Sequence, residues 1–389
     1  MPSPQQASTS ILSALNKDAL TCVNDAISNN RHLSIIIDEW KNCRGVPVIN
    51  IILANPSSCI FYKSYEPGAN RETGEYLASV IKGVIEEVQA THGQGKIVAI
   101  VTDQGSNFVR ARRVISNEET ILSINCGAHT PNLLAEVIAI TEGNSSTLSD
   151  VVEEFEKLRG IFEQNGDNSD IPKNATNISE IKKCQTIFKN RTDIQKLTKI
   201  HYLANFLDPR YRGQKFVEDE EKLLMTLSEL EDYAKNIGVI PTEEAKEELG
   251  RQISSYRRKE GIFGNSMLLH RVPHLYWDNL LSFQSASILA TVGVRILSIP
   301  WSSAGAERSF SIQGNVHTKN RNRLLEATVE QIMRIKWNNQ QRYPKKLKKA
   351  VTSLVIEPHQ QEDVASDSES DGNSDMEIAE PYSESELDT

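Results

Sequence analysis

Cysteine is scarce and badly arranged for cross-linking. The five residues, Cys22, Cys43, Cys59, Cys126 and Cys184, are odd in number and scattered, and no Cys-x-x-Cys pair occurs. That excludes a disulfide framework and a self-contained zinc finger, and it fits a reducing compartment. Long apolar runs are also missing: none approaches the roughly 18 to 20 uninterrupted apolar residues of a membrane span. The opening Met-Pro-Ser-Pro-Gln-Gln has neither the charged nor the apolar region of a secretory signal. The expectation is an intracellular chain with no membrane contact. Without a secretory route, Asn-x-Ser/Thr triplets such as that at Asn144 read as chance rather than as glycosylation sites.

Basic charge is absent from one end. Residues 357–389 hold twelve Asp or Glu and no Lys or Arg, too little apolar content to offset the entropy of ordering, so this tail is expected to be disordered. It accounts for the formal net charge of -9; the rest of the chain carries 43 basic residues against 40 acidic ones. A nearly neutral, slightly basic body permits nucleic-acid binding without demanding it. The basic run 343–349 just before the tail reads either as a nuclear localisation signal or as a solvated helix end. Ser366 and Ser368, each with an acid three residues on, leave the tail open to phosphorylation as well as to a plain solubilising role.

What is present is a change of periodicity. Residues 1–30 read as a weakly ordered lead-in with a short helix around 11–27. Segments 33–37, 48–53 and 59–62 are β-branched apolar runs separated by turn formers, which predicts an antiparallel meander. Residues 72–89 place Leu77, Val80, Ile81, Val84, Ile85 and Val88 at helical spacing. A continuous apolar strand follows at 96–101, then a helix from about 107, a strand at 120–125 and a helix at 130–140. The order β-β-β-α-β-α-β-α predicts an α/β fold with one mixed sheet flanked by helices, in the order of the RNase H-like fold. That core begins at 31–141, is interrupted by an all-helical insertion at 142–265, is completed over 266–342, and leads into the run and tail at 343–389.

Three acids stand out. Asp38 follows the first strand, and Asp103 follows the buried strand at 96–101. On neighbouring strands, two such carboxylates meet at one edge, where hard oxygen ligands suit Mg2+. An acid after a buried strand also caps helices, so a structural role for Asp103 stays open. Glu307 lies about one turn into a helix that Ser302 or Ser303 would cap, behind the small residues Ala304, Gly305 and Ala306, which allow close approach to a sheet. An exposed Glu paired with Arg308 or Arg323 is the competing assignment.

Segments 38–40 (Asp-Glu-Trp), 102–107 (Thr-Asp-Gln-Gly-Ser-Asn) and 303–311 (Ser-Ala-Gly-Ala-Glu-Arg-Ser-Phe-Ser) resemble, in order, the three acidic motifs of hAT-superfamily DNA transposases. The family's Cys-x-x-His motif is matched by Cys126 and His129, with Asn132 and Leu133 following, and another family segment by 207–213 (Leu-Asp-Pro-Arg-Tyr-Arg-Gly). Residues 276–278, 297–300, 319–324 and 337–338 are similar to the hAT C-terminal dimerisation region. The resemblance covers roughly 33–340. It implies that Asp38, Asp103 and Glu307 bind two Mg2+ (or Mn2+) ions for phosphodiester cleavage and strand transfer, and that His129 sits near the site, contacting DNA or orienting an acid. Cys126 and His129 have no second pair, so no zinc is expected. Arg110, Arg112 and Arg113, and Lys319, Arg321 and Arg323, are expected either to reach phosphates or to form a solvated face. The chain is expected to self-associate through 270–342 as a homodimer or larger, to contact DNA, and to be nuclear.

Departures from the family pattern shape that expectation. Only about thirty residues precede the first strand, where family members generally carry a BED-type zinc finger. The insertion looks short and holds none of the four Trp, which stand at 40, 277, 301 and 337. An aromatic there helps the family hold a flipped base, so a Tyr or Phe must substitute or the step is lost. Gln104 replaces the usual Asn. Two functional classes follow: a DNA-cleaving transposase core, or a domesticated, non-catalytic dimerising factor that binds DNA or protein.

Overall fold

The computed structural model describes residues 10–67, 73–116, 120–126, 147–164, 197–216, 218–265 and 272–338. The chain divides into two compact units, 1–343 and 344–389, and all described residues belong to the first. The basic run at 343–349, the acidic tail and the helix expected at 130–140 lie outside the described residues.

A five-stranded mixed sheet organises the unit. Its strands are β1 (Leu33–Lys41), β2 (Pro47–Asn55), β3 (Ser58–Tyr65), β4 (Ile97–Thr102) and β5 (Leu122–Asn125), in spatial order β3-β2-β1-β4-β5. β1 pairs antiparallel with β2 and parallel with β4, β2 pairs antiparallel with β3, and β4 pairs parallel with β5. This is the expected α/β arrangement with an RNase H-like strand order, one of the layouts that the periodicity allows. The central strands are β-branched and buried on both faces, as a parallel centre requires.

One face is covered by α2 (Gly74–His92) and α3 (Ser106–Ser116). Helix α2 starts at Thr73, whose side chain accepts from the Tyr76 N–H at 3.2 Å. Its buried residues, among them Leu77, Ile81, Val84 and Val88, meet Ile35, Ile37, Ile49 and Ile51 of the sheet in one apolar cluster. The short helix expected around 11–27 is α1 (Leu12–Asn29); it is docked, with Ala19, Val23 and Ile27 buried, where a weakly ordered lead-in was expected.

The other face receives the rest of the chain. Within 142–265, where a helical insertion was expected, the described residues include helices α4 (Leu148–Gln164), α5 (Lys199–Leu207), α6 (Glu220–Asn236) and α7 (Glu243–Arg258). Four helices follow: α8 (Pro273–Leu280), α9 (Ser287–Ile296), α10 (Ala304–Val316) and α11 (Glu326–Asn338). α8 and α9 pack among the insertion helices, whereas α10 lies on β1 and β2 and α11 on β3 and α1.

The insertion and the last helices share one polar hub. The Leu207 carbonyl accepts from Trp277 Nε1 at 2.7 Å and from the Tyr256 hydroxyl at 3.0 Å, which satisfies three buried polar groups at once. Asp208, wholly buried, accepts from Arg210 Nη2 at 2.7 Å and from the Ser149 hydroxyl at 2.6 Å. Arg212 lies over the Tyr256 ring at 4.4 Å and donates to the Tyr256 and Phe263 carbonyls at 2.6 and 2.9 Å. The family-like segment 207–213 is therefore a structural clasp.

α11 also closes the sheet. The β3 edge would present unpaired backbone groups to solvent. Instead Asn338 accepts from the Phe61 N–H at 3.1 Å and donates to its carbonyl at 2.9 Å, and Trp337 Nε1 donates to the Cys59 carbonyl at 3.0 Å.

Trp277 is fully buried, and Gly293 packs so tightly on it that a Cβ there would lie 2.5 Å from the indole. Trp277→Ala is expected to cost about 3–5 kcal/mol, measured by urea unfolding; a loss below about 1 kcal/mol would show that the hub is dispensable.

Candidate functional site

Asp38 does not follow β1 but sits inside it, directly opposite Asn50 on β2. The strand continues through the acid because the β1–β2 pairing extends to Lys41 and Pro47. On the other side, β1 pairs with β4 only as far as Ile36 and Val101. Two residues beyond that last pair stand Asp38 on one strand and Asp103 on the other. The register thus brings both acids to the point where the parallel strands part.

Their settings differ. Asp38 is buried, and its Oδ1 accepts from the Glu39 N–H at 2.8 Å. Asp103 is half-buried, and its Oδ1 accepts from the Gly105 N–H at 3.0 Å. α3 begins only at Ser106, so this bond closes a local turn before the helix rather than capping its first amides. A Cβ on Gly105 would stand 3.1 Å from that same oxygen, which leaves glycine the best fit there.

Glu307 arrives on α10. Gly305 lets this helix approach the sheet: a Cβ there would lie 2.8 Å from Cys59 Sγ and 3.9 Å from Ile36 Cδ1. Farther along, Gly314 lies within 3.8 Å of the Trp40 ring, measured from the same hypothetical Cβ, and Phe310 stacks on Trp40 with centroids 5.7 Å apart. The helix therefore runs alongside β1. From Gly305 to Gly314 it rises about 13.5 Å at 1.5 Å per residue, matching the roughly 13 Å that β1 covers from Ile36 to Trp40. On that scale Glu307 falls level with the stretch between Ile36 and Asp38, on the sheet face that Asp38 shares with Trp40. It is exposed, and its carboxylate has no hydrogen bond or ion pair among the described residues. The expected pairing with Arg308 or Arg323 is not found there.

Four polar contacts position α10 that the sequence reading did not identify. Asn50 Nδ2, fully buried, donates to Ser309 Oγ and to Gln313 Oε1, each at 2.8 Å. A single Asn inside the apolar run 48–53 was the available signal. At the head of the helix, Cys126 Sγ donates to Ser303 Oγ at 3.0 Å and accepts from the Ser303 N–H at 3.1 Å. The Ser303 hydroxyl is thus turned toward β5, and no side-chain cap bond is made by it. This gives the Cys of the Cys-x-x-His motif a role without zinc. His129 lies outside the described residues.

The basic residues separate by environment. Arg112, expected either to reach phosphate or to lie on a solvated face, is instead 2% exposed. It donates to the Thr102 carbonyl at 3.3 Å, to the Ile124 carbonyl and to Asn125 Oδ1. Burial lowers its pKa, opposed by attraction to Asp103 and Cys126, but a guanidinium keeps its charge. Its position on the inner face of α3 follows from helical spacing with Phe108, Ala111 and Ile115. Arg113 is exposed, and Arg110 is exposed and paired with Glu75. Lys319 and Arg323 are exposed and Arg321 half-buried, in and just after a 3-10 turn (Lys319–Arg321) beyond the far end of α10. From Glu307 to Val316 alone the helix spans about 14 Å, so this trio is not beside the acids.

Hard oxygens dominate the donor set. Asn50 Oδ1, opposite Asp38, is buried with no hydrogen-bond donor among the described residues. Two carboxylates and an unspent carbonyl suit Mg2+, which fills its remaining positions with water and phosphate oxygens. A complete cage is not assembled: among the described residues, no three of His, Cys, Asp and Glu gather closely enough to hold a metal ion. Asp38 and Asp103 stand at the same level of neighbouring strands, with Glu307 at that level on the neighbouring helix.

Two family models match the chain. Residues 2–158 match a domain of unknown function (DUF659), and residues 272–338 match the hAT family C-terminal dimerisation region. The first match spans α1, the whole sheet and the backbone carrying Asp38 and Asp103; the second spans α8 to α11 and includes Glu307. No curated protein matches the chain.

Arg112→Met should remove charge-assisted bonds to two buried carbonyls and cost about 2–4 kcal/mol in chemical unfolding. Arg113→Ser, on the exposed side of the same helix, should stay within about 0.5 kcal/mol. Equal effects would contradict the separation.

Proposed function

The chain is an hAT-family transposase-like protein with that family's dimerisation region at 272–338, and on this premise we propose that Asp38, Asp103 and Glu307 form a metal-dependent DNA-cleaving site. The reading is carried by one observation: the β1–β4 register brings Asp38 and Asp103 together where the strands part, beside the helix that bears Glu307. Asp38 and Asp103 would hold Mg2+ or Mn2+, with Glu307 completing a two-ion site. The chemistry that such ions supply is activation of water or a 3′-hydroxyl and stabilisation of the leaving oxygen. The chain's own residues do the positioning. The Gly105 and Glu39 N–H groups orient the two carboxylates, and Asn50 fixes the helix that carries the third. Arg113 is placed on the helix after Asp103 to meet a phosphate, and Arg110 after release from Glu75. A nuclear location belongs to this reading, since the substrate is DNA.

A second reading has its own support. Glu307 is exposed and the three acids do not converge into a metal cluster, as a domesticated, non-catalytic binding factor would allow. Nicking of oligonucleotide DNA with Mg2+ or Mn2+ separates the two. Cleavage by the wild type, falling at least about a hundredfold in Asp103→Asn, is expected from loss of several kcal/mol of charge stabilisation. No metal-dependent cleavage beyond that of the variant leaves the binding factor.

Self-association is part of both readings. Of the five large apolar side chains exposed among the described residues, three, Leu275, Phe283 and Leu325, fall within 272–338. Sedimentation of the full chain should show a dimer or larger, and Phe283→Glu with Leu325→Glu should shift it toward monomer. A monomer at all concentrations in the wild type removes the claim.

A further inference from the structure

At the end of the sheet opposite Asp38 and Asp103, where β1 and β4 begin, lies a cavity of about 470 Å3. Its walls come from the end of α1, the residues just before β1 and β4, the end of α2, and α8 and α9. The lining is cationic. Arg31 and Lys96 supply the positive charge, His32, His92 and His274 line it as imidazoles whose pKa values are lowered by burial, and Asp278 is the only carboxylate among the lining residues. Arg295 adds a second guanidinium behind the wall: a Cβ on Gly95 would lie 3.1 Å from its Nη1.

The bonds already made leave donors unspent. Lys96, 8% exposed, gives Nζ–H to the Asn30 carbonyl at 2.6 Å and the Ile27 carbonyl at 3.2 Å, which accounts for two of its three protons. Arg31 pairs with Asp278 through Nε, so its two terminal nitrogens remain. His274 is 6% exposed, yet its Nδ1 has no hydrogen-bond partner among the described residues. A buried, unpaired polar atom in a residue of the cavity wall is a free-energy cost that a partner would relieve.

The field points the same way. His32 donates from Nδ1 to the Gly95 carbonyl at 2.9 Å. Its pKa is held down to about 4 by burial and by the positive charges of Arg295, Arg31 and Lys96. His92 is lowered by burial and by Lys96. Burial is the larger cause in both, and the charges of Arg295, Arg31 and Lys96 act in the same direction around one cavity.

We propose that this cavity binds a small phosphate-bearing ligand of about mononucleotide size. The volume falls in the roughly 300–1,000 Å3 range of small-molecule pockets, larger than one phosphate needs, and the donors are those that recognise a phosphate's oxygens. The site is separate from the acids at the other end of the sheet, and its occupancy does not depend on whether they cleave DNA.

Calorimetric titration of the full chain tests it with three probes: adenosine monophosphate, inorganic phosphate, and a single-stranded oligonucleotide with and without a 5′-phosphate. Saturable one-to-one binding of adenosine monophosphate is expected, with weaker binding of inorganic phosphate. Arg31→Gln, at a side chain 55% exposed and so tolerant of exchange, should weaken it at least tenfold. Asp278→Asn should tighten it by removing the only lining carboxylate, and Asp103→Asn should leave it unchanged. No saturable binding of either small probe overturns the proposal, as does binding indifferent to both Arg31→Gln and Asp278→Asn. Arg31-dependent binding of the 5′-phosphorylated strand alone overturns it too, in favour of a nucleic-acid end.

Discussion

Helix α10 approaches β1 and β2 so closely that one added carbon at Gly305 would press on Cys59, and much of the molecule's arrangement follows from that contact. The helix comes from the last quarter of the chain, and the sheet beneath it from the first third. A contact this close excludes water, so every polar group trapped under the helix needs a protein partner. Asn50 Nδ2 meets the requirement through Ser309 and Gln313, one turn apart on the facing side, whereas its Oδ1 has no partner among the described residues. Trp40 stacks on Phe310 at the exposed margin. Glu307 is left as the polar residue of the first turn, turned to solvent at the level of Asp38, where a negative charge near a helix N-terminus is favoured.

The same close packing limits what the dimerisation region can be. Residues 272–338 are not a separable arm. α8 and α9 supply Trp277 and Gly293 to the core of the helical insertion, and α10 and α11 seal the sheet face and the β3 edge. Self-association through this region must use its outer surfaces, because the inner ones are committed to the fold. Deleting the segment would expose both the insertion core and the unpaired edge of β3.

Much of this was legible in the residues. The strand runs, the helix at 74–92 and the change to helical spacing after 147 are periodic signals, and periodicity survives in the structure. The three acids, each readable locally as a cap or a surface acid, became a candidate site through the resemblance of their segments, in order, to the acidic motifs of hAT transposases. What escaped were relations between distant segments. Arg112 reads like its neighbours Arg110 and Arg113 until α3 is laid on the sheet; only then does its spacing with Ala111 and Ile115 put it inside. Asn50 has no partner in its own strand to reveal its bonds. Asp38 seemed to end a strand because the apolar run ends there, whereas backbone pairing with β2 carries the strand three residues farther.

Arg112 and Cys126, which looked unrelated, connect the acids mechanically. Arg112 grips the carbonyl of Thr102, the residue before Asp103, and holds the end of β5 through Ile124 and Asn125. The next residue, Cys126, bonds both the hydroxyl and the N–H of Ser303. Ser303 precedes the first residue of α10, four positions before Glu307. A chain of buried hydrogen bonds thus runs from the backbone of Asp103 to the helix of Glu307 across a strand that carries no acid of the site. Most of these links are buried, where hydrogen bonds are electrostatically strong. The separation of Asp103 and Glu307 is therefore fixed by β5, and any closer convergence of the acids must come from side-chain rotation rather than from movement of α10 across the sheet.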